Sequence, residues 1–188
     1  AMINSTTDII VNGLDLKRIR AALDSIKAND KGDIANPGYR ATVEWDSGFH
    51  STTHTTDGQV VLSDEPKRYG GEEMGATPED LLLAAVGACL VNTYIAALSA
   101  ARIHVESLRM NVSGRVNFRT AFGLEAGTPG YENIKIVVDI QTDAPEEKVI
   151  ALMEKVFPTA PIPDTIMRPV PIDVEIVHHA EATATHAS

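Results

Sequence analysis

The chain has 188 residues, 44% of them hydrophobic, which is enough for one domain with a buried core. Its formal net charge of −10 at pH 7 argues against nucleic acid and anionic membrane surfaces as partners, because both attract concentrated Lys and Arg. The one cysteine excludes a disulfide within the chain and a cysteine-based zinc site, and we expect a reducing, cytoplasmic location. The longest apolar run, residues 81–90, is too short to span a bilayer, so we expect no membrane segment.

Residues 1–36 are predicted to form an N-terminal helical arm. Within residues 13–27 the apolar residues recur at spacings of three and four, which is typical of one apolar stripe on a helix. The stripe consists of Leu16, Ile19, Leu23 and Ile26. A turn signal at residues 36–38 then separates this helix from the main domain.

The main domain is predicted over residues 37–178 and begins with three strands. Apolar and polar residues alternate over residues 39–46, the period of a strand with one buried face. A Thr-rich strand follows at residues 49–56, and the Asp57-Gly58 dipeptide favours a hairpin into a third strand at residues 59–62. These three strands should form a β-meander.

A long apolar helix is predicted from residue 77 to about residue 98. Its first turn combines an N-cap residue, a proline at the first helical position and two acids that complement the helix dipole, namely Thr77, Pro78, Glu79 and Asp80. Nearly every face beyond this turn is apolar until Asn92. We therefore expect the helix to be covered on all sides, by a sheet and by a partner subunit. Its middle carries Cys89.

The C-terminal half is predicted to contain three strands and two helices. Alternating apolar residues indicate strands within residues 105–119 and 131–142. A helix, a short helix or turn, and a last strand follow at residues 145–156, 159–167 and 170–177. This order predicts an α+β fold with a mainly antiparallel sheet and a long central helix. Residues 179–188 are small and polar and should form a flexible tail.

Three short stretches around the central helix form a motif of specific spacing, at residues 68–72, 75–82 and 85–90. This motif resembles the central motif of the OsmC/Ohr family, the osmotically induced and organic hydroperoxide resistance proteins. The order of elements over the main domain is similar as well, whereas the arm and the tail fall outside the resemblance. The resemblance implies an OsmC-like fold in an intertwined homodimer, with an active site at the subunit interface and an extra N-terminal helix in this chain.

The resemblance also implies an activity and three site residues. The family reduces organic hydroperoxides with thiols, and its attacking cysteine, its glutamate and its arginine fall on Cys89, Glu79 and Arg68. Its second, resolving cysteine falls on Ala160, so an external thiol or dithiol must recycle the enzyme. We expect no cofactor and no metal. The alternative is a non-catalytic dimer of the same fold that binds a small molecule or senses redox state.

The chemistry of a thiol independently favours a cation near Cys89. A free cysteine with a pKa near ~8.5 is only a few per cent thiolate at neutral pH, and a cationic neighbour raises that fraction. The helix dipole acts over the first turn only, so it cannot serve Cys89. Arg68 is the best candidate, ahead of Arg40 and Arg102, and Glu79 would hold its guanidinium through a paired contact.

Helix geometry separates two of these residues. Glu79 and Cys89 lie ten positions apart, which is about 15 Å of rise and turns the side chains to different faces. Either the helix breaks near Gly87, or Glu79 reaches Cys89 of the other subunit. We favour the second explanation.

Each candidate also has an ordinary structural explanation. A lone cysteine in an apolar helix is often a small core residue, and a glutamate in a first helical turn often serves only the dipole. A loop arginine is often simply solvated. His50 and His54 would share one face of a strand but lie about 13 Å apart, so we expect no metal site there.

Overall fold

The computed structural model describes residues 9–29 and 31–179. The helices are α1 (Leu16–Ala28), α2 (Pro78–Ala100), α3 (Phe118–Ala121), α4 (Glu146–Val156) and α5 (Pro161–Met167). The strands are β1 (Ile10–Val11), β2 (Leu14–Asp15), β3 (Ala41–Ser47), β4 (His50–Thr55), β5 (Val60–Ser63), β6 (Val105–Val116) and β7 (Tyr131–Thr142). The flexible tail predicted for residues 179–188 lies, apart from His179, outside the described residues.

The strands of the described chain pair antiparallel, apart from one isolated parallel bridge between Ser63 and Ala76, so the mainly antiparallel prediction is confirmed. They form three separate sheets rather than one. The hairpin β1-β2 is two residues deep, β3-β4-β5 is the predicted meander, and β6-β7 is a long hairpin. The β6-β7 pairing runs from Val105 opposite Thr142 to Val116 opposite Tyr131. The result is a mixed α and β fold with antiparallel sheets.

The core lies where α2 packs against β6, α4 and α5. Alternate residues of β6 and β7 point toward it, as the period of two requires. Leu90 and Leu98 of α2 are fully buried, and each contributes on the order of 2 kcal/mol of hydrophobic stabilisation. The buried cluster consists of Val86, Leu90, Tyr94, Leu98, Ile103, Val149, Met153 and Ala160.

Helix α2 is continuous over 23 residues. The Thr77 hydroxyl accepts the N–H of Asp80 at 3.1 Å and Pro78 occupies the first turn, so the predicted helix start is confirmed. Gly87 lies inside the helix without a break, and a Cβ there would lie 3.2 Å from Cγ2 of Val112. A break near Gly87 is therefore excluded, and the glycine instead permits close packing of β6.

By length and composition α2 is also apolar enough to cross a membrane, contrary to our expectation from the shorter run at residues 81–90. The core helix of a soluble protein meets the same criterion. Because α2 packs against β6, α4 and α5, its apolar character is that of a core helix.

Two apolar surfaces are not covered by any element of the described chain. One face of α2 remains open around Leu82 and Ala88, and this is the face that the predicted partner subunit would have to cover. The meander β3-β4-β5 also exposes large apolar side chains, including Val43 and Trp45, the latter 75% exposed. Contiguous apolar surface of this kind marks an interaction site.

The described part of the N-terminal arm begins with a hairpin that is absent from the sequence prediction. Asn12 and Gly13 have φ of 52° and 78°, which forms a tight turn between β1 and β2. Helix α1 therefore starts at Leu16 rather than at residue 13, with Asp15 as its N-cap. Two of the four residues of the predicted apolar stripe, Leu23 and Ile26, are exposed and pack on no buried core, whereas Leu16 and Ile19 are half-buried.

Two C-terminal predictions are wrong in detail. Residues 170–177 belong to no strand, since no described strand lies beside them, and Ile172 is 86% exposed. The strand predicted to reach residue 119 ends at Val116, because the Asn117 side chain accepts the N–H of Arg119 and starts α3.

Candidate functional site

A cavity of about 500 Å³ opens at the N-terminal end of α2. It lies between the loop that joins β5 to α2, the first turns of α2, and the adjoining ends of β6 and β7. Arg68 and Glu79, two of the three predicted site residues, both line it. Its walls are completed by Glu65, Pro66, Tyr69, Glu73, Gly75, Thr77, Asp80, Leu83, Gly114, Val116, Phe118 and Tyr131.

Arg68 sits on a single 3₁₀ turn, Lys67–Tyr69, within that loop. Its guanidinium carbon lies 4.8 Å from the centroid of the Tyr69 ring, a cation–π arrangement. Within the described chain no carboxylate lies at ion-pair distance from Arg68. The paired contact predicted with Glu79 is therefore not formed in a single chain, although both residues border the same space.

Glu79 is fixed through its backbone to the end of β7. The hydroxyl of Tyr131 donates to the carbonyl oxygen of Glu79 at 3.0 Å, which ties the first turn of α2 to the β6-β7 hairpin. Burial raises the pKa of Tyr131, and the carboxylates of Glu79 and Asp80 raise it further. The phenol therefore remains a donor at neutral pH.

Glu65 is a cavity residue that the sequence analysis did not single out. Burial raises its pKa, the nearby Glu79 and Asp64 carboxylates add to this, and Arg68 opposes it. Glu65, Glu73, Glu79 and Asp80 line the same cavity as Arg68, which is the one basic residue of the cavity wall. Such a surplus of carboxylates disfavours anionic ligands.

An aromatic wall stands beside Arg68. The ring centroids of Tyr69 and Phe118 are 5.0 Å apart with planes at 89°, and those of Phe118 and Phe122 are 5.8 Å apart. These edge-to-face contacts join the arginine loop to α3. The cavity therefore has a charged side and an apolar side.

Cys89 lies elsewhere. It lies about three turns into α2, half-buried against the core cluster, and it does not line the cavity. Ala160 is a fully buried member of that same cluster. The structure therefore brings Arg68 and Glu79 together but keeps Cys89 of the same chain apart. The rival arginines Arg40 and Arg102 do not line the cavity either.

The histidines of β4 have structural partners. Nδ1 of His50 lies 2.9 Å from the Asp46 carboxylate, and Nε2 of His54 lies 3.8 Å from that of Glu44. Across residues 9–29 and 31–179, no group of three or more His, Cys, Asp or Glu is arranged to hold a metal ion.

The fold and this site define a class of α and β proteins with a cysteine in the central helix and an arginine-glutamate cavity at the start of that helix. A family model described as OsmC-like protein matches residues 70–175, which is more than half of the chain. The chain belongs to the OsmC-like family. No protein among the curated sequences compared matches it.

Solved structures support the same fold. An OsmC-like protein from Mycoplasma pneumoniae superposes with a TM-score of 0.60 at 21% identity, covering 70% of this chain and 89% of that one. A hypothetical protein from Aquifex aeolicus VF5 gives 0.55 at 18% identity, covering 69% and 87%. An organic hydroperoxide resistance protein from Elizabethkingia anophelis gives 0.50 at 18% identity, covering 68% and 86%. At these identities the likeness establishes the fold alone.

Proposed function

We propose that the protein is a thiol-dependent peroxidase that reduces organic hydroperoxides at Cys89. It acts as a cytoplasmic homodimer, in which Arg68 and Glu79 of one subunit complete the site around Cys89 of the other. The arm of residues 1–36 is an addition to the OsmC-like domain of residues 37–178. The name of the Elizabethkingia anophelis relative supports this chemistry.

The observation that carries the proposal is the separation of Cys89 from the cavity along one unbroken helix. Arg68 and Glu79 border a common space, yet Cys89 lies ten residues further along α2. The open face of α2 adjoins Cys89, because the exposed Leu82 and Ala85 lie seven and four residues before it, on the same side of the helix. A second copy seated on this face would join its cavity to the thiol of the first.

Each step of the reaction follows from thiol chemistry. The Cys89 thiolate attacks the outer peroxide oxygen, an S–O bond forms, and the O–O bond breaks. The departing alkoxide takes a proton and leaves as the alcohol, while the cysteine becomes a sulfenic acid. Arg68 stabilises the thiolate and the negative charge that develops on the leaving oxygen.

Recycling requires a thiol from outside the chain. Cys89 is its one cysteine, and the position of the family's resolving cysteine is Ala160, which is fully buried. An external thiol condenses with the sulfenic acid and releases water, and a second thiol then displaces it as a disulfide. A dithiol reductant can supply both groups.

The cavity walls favour apolar, uncharged hydroperoxides. Tyr69 and Phe118 offer ring surface beside Arg68, whereas the surrounding carboxylates repel anions. Aryl and branched alkyl hydroperoxides should therefore be better substrates than charged ones.

Intact-protein mass spectrometry tests the proposal directly. One equivalent of cumene hydroperoxide should add about 16 Da to the wild-type protein, and a dithiol should remove this mass. The Cys89→Ser variant should gain nothing. A wild-type protein that consumes no hydroperoxide and shows no oxidation at Cys89 contradicts the proposal.

The second candidate is a non-catalytic dimer that binds a small molecule or senses redox state. Ala160 favours it, because without a resolving cysteine the sulfenic acid would persist as a signal rather than turn over. Oxidation at Cys89 that no thiol or dithiol reverses at a useful rate would support this candidate.

A further inference from the structure

The loop between β5 and α2, residues 64–76, is built around one buried carboxylate. Asp64 is only 2% exposed. Its Oδ1 accepts the N–H of Glu65 at 2.8 Å, and its Oδ2 accepts the N–H groups of Glu72 and Met74, both at 3.1 Å. A carboxylate is well suited to this arrangement, because both of its oxygens accept and neither donates.

The same loop is closed by its own backbone. The N–H of Gly71 donates to the carbonyl of Pro66 at 3.2 Å, and that of Glu73 donates to Glu65 at 3.2 Å. A side chain at Gly71 would collide with the backbone of Glu65, so the backbone at Gly71 lies in direct contact with the backbone at Glu65. Glu73 has a φ of 61°, an uncommon value for a residue with a Cβ. The loop is therefore held in one compact conformation.

The hydrogen bonds of Asp64 lie on both sides of Arg68 in the sequence. Asp64 accepts hydrogen bonds from Glu65, which precedes the segment of residues 66–71, and from Glu72 and Met74, which follow it. The 3₁₀ turn Lys67–Tyr69 lies within this segment and presents Arg68 to the cavity. Asp64 itself does not line the cavity.

We propose that Asp64 is a positioning residue for Arg68, which it holds at the cavity by fixing both ends of the segment that carries the arginine. This inference rests on the proposed function, in which Arg68 serves Cys89. Asp64 acts through the loop and does not touch the substrate.

The Asp64→Asn variant tests the inference because it keeps the size of the side chain but replaces one acceptor with an NH₂ donor. The rate constant for Cys89 oxidation by cumene hydroperoxide, followed by intact mass, should fall about 10- to 100-fold, as small displacements of a positioned group do. The fall should be absent in an Arg68→Ala background, where no guanidinium remains to be positioned.

A matched control is Asp143→Asn. Asp143 also accepts a backbone N–H, from His104 at 2.9 Å, but lies outside the cavity wall, so its substitution should leave the rate within twofold of wild type. An equal loss from Asp64→Asn in the wild-type and Arg68→Ala backgrounds overturns the inference, because it identifies a merely structural role.

A readout independent of activity separates this inference from the proposed function. In ¹⁵N NMR spectra, Asp64→Asn should speed amide exchange of Glu72 and Met74 at least about tenfold and shift the Arg68 Nε–H signal. An unchanged Arg68 signal overturns the inference whether or not the wild type reduces hydroperoxides. If Asp64→Asn does not fold, Asp64→Ser removes the carboxylate without adding bulk and should shift the same signal, and an unchanged signal in that variant overturns the inference as well.

Discussion

At the scale of single residues, Asp64 and Glu65 are neighbours with opposite electrostatic behaviour. The N–H of Met74 and then those of Glu65 and Glu72 lower the pKa of Asp64, against the opposing effect of burial. Burial raises the pKa of Glu65. One carboxylate is thus solvated by backbone donors, whereas the other faces carboxylates across the cavity. Asp64 stabilises the loop, whereas Glu65 adds to the negative charge of the cavity.

The lowered pKa of Asp64 predicts a specific dependence of stability on pH. A carboxylate with a lowered folded-state pKa contributes stability that is fully present above its unfolded pKa and is lost as pH falls through the folded value. The free energy of unfolding of wild type should therefore exceed that of Asp64→Asn by a constant amount above about pH 5. Urea titrations should show this gap narrowing below about pH 4. A gap that widens as the pH falls contradicts the assignment.

Ala160 offers a second test at this scale. Because Ala160 belongs to the core cluster on which Cys89 packs, Ala160→Cys should place a second thiol within reach of the sulfenic acid. One equivalent of hydroperoxide should then give a protein about 2 Da lighter, rather than about 16 Da heavier. The larger side chain should cost about 1–3 kcal/mol of stability. Ala160→Ser is the matched control, and a stable sulfenic acid in Ala160→Cys contradicts the prediction.

At the scale of elements, the arm is anchored by one amide. Nδ2 of Asn12 donates to Oγ of Ser99 and to the carbonyl of Ile103, both at 2.9 Å, and its Oδ1 accepts the N–H of Val105 at 2.8 Å. These bonds connect the β1-β2 hairpin to the end of α2 and the start of β6. The hairpin thereby becomes part of the domain, while α1 extends from it.

Loss of this amide should destabilise the whole protein. Asn12→Gly keeps the φ of 52° accessible but removes three hydrogen bonds, so we expect a loss of about 1–3 kcal/mol in denaturant unfolding. Asn12→Ala should lose about a further 1 kcal/mol from backbone strain. The exposed Asn111→Ala is the control and should change little. Equal stabilities for Asn12→Gly and wild type contradict the anchoring role.

The helices and strands show which structural features can be predicted from short stretches of the sequence. Thr77 and Pro78 began α2 as predicted, because caps act within a few residues of themselves. The Asn12-Gly13 turn is not predicted, although that dipeptide favours a hairpin, because the helix predicted from the apolar period begins at residue 13 and covers it. The prediction of a strand at residues 170–177 is wrong, because alternation of apolar and polar residues indicates which face of a strand is buried but does not supply a neighbouring strand to pair with.

For the candidate site, too, the sequence predicts some residues and gives no indication of others. Arg68, Glu79 and Cys89 are predicted from the motif, and the structure places the first two at one cavity. Glu65 and Phe118 were not found, because they reach that cavity only through folding of a loop and a strand end. The role of Asp64 depends on donors up to ten residues away in a segment without periodicity, which no local pattern indicates.

At the scale of the whole molecule, subunit exchange tests the site across two chains. In an equal mixture of refolded Cys89→Ser and Arg68→Ala chains, half of the dimers are mixed, and each mixed dimer has one complete site if the site is shared. The mixture should therefore recover about a quarter of wild-type activity. A site contained within one chain would give no recovery.

The double variant provides the matched control. Wild type mixed equally with Cys89→Ser/Arg68→Ala should retain about a quarter of wild-type activity when the site is shared, because mixed dimers are then inactive. It should retain about half when the site lies within one chain. A shared site therefore predicts about a quarter of wild-type activity in both mixtures, whereas a site within one chain predicts none in the first mixture and about half in the second.

The uncovered meander β3-β4-β5 has a thermodynamic consequence. Its apolar side chains, among them Val43 and Trp45, are buried only when another molecule covers them, so in the proposed dimer part of the folding free energy is free energy of association. Mass action then makes the melting temperature a function of protein concentration, and serial dilution should lower it. For this protein, cellular abundance would itself help to determine how much of the chain is folded.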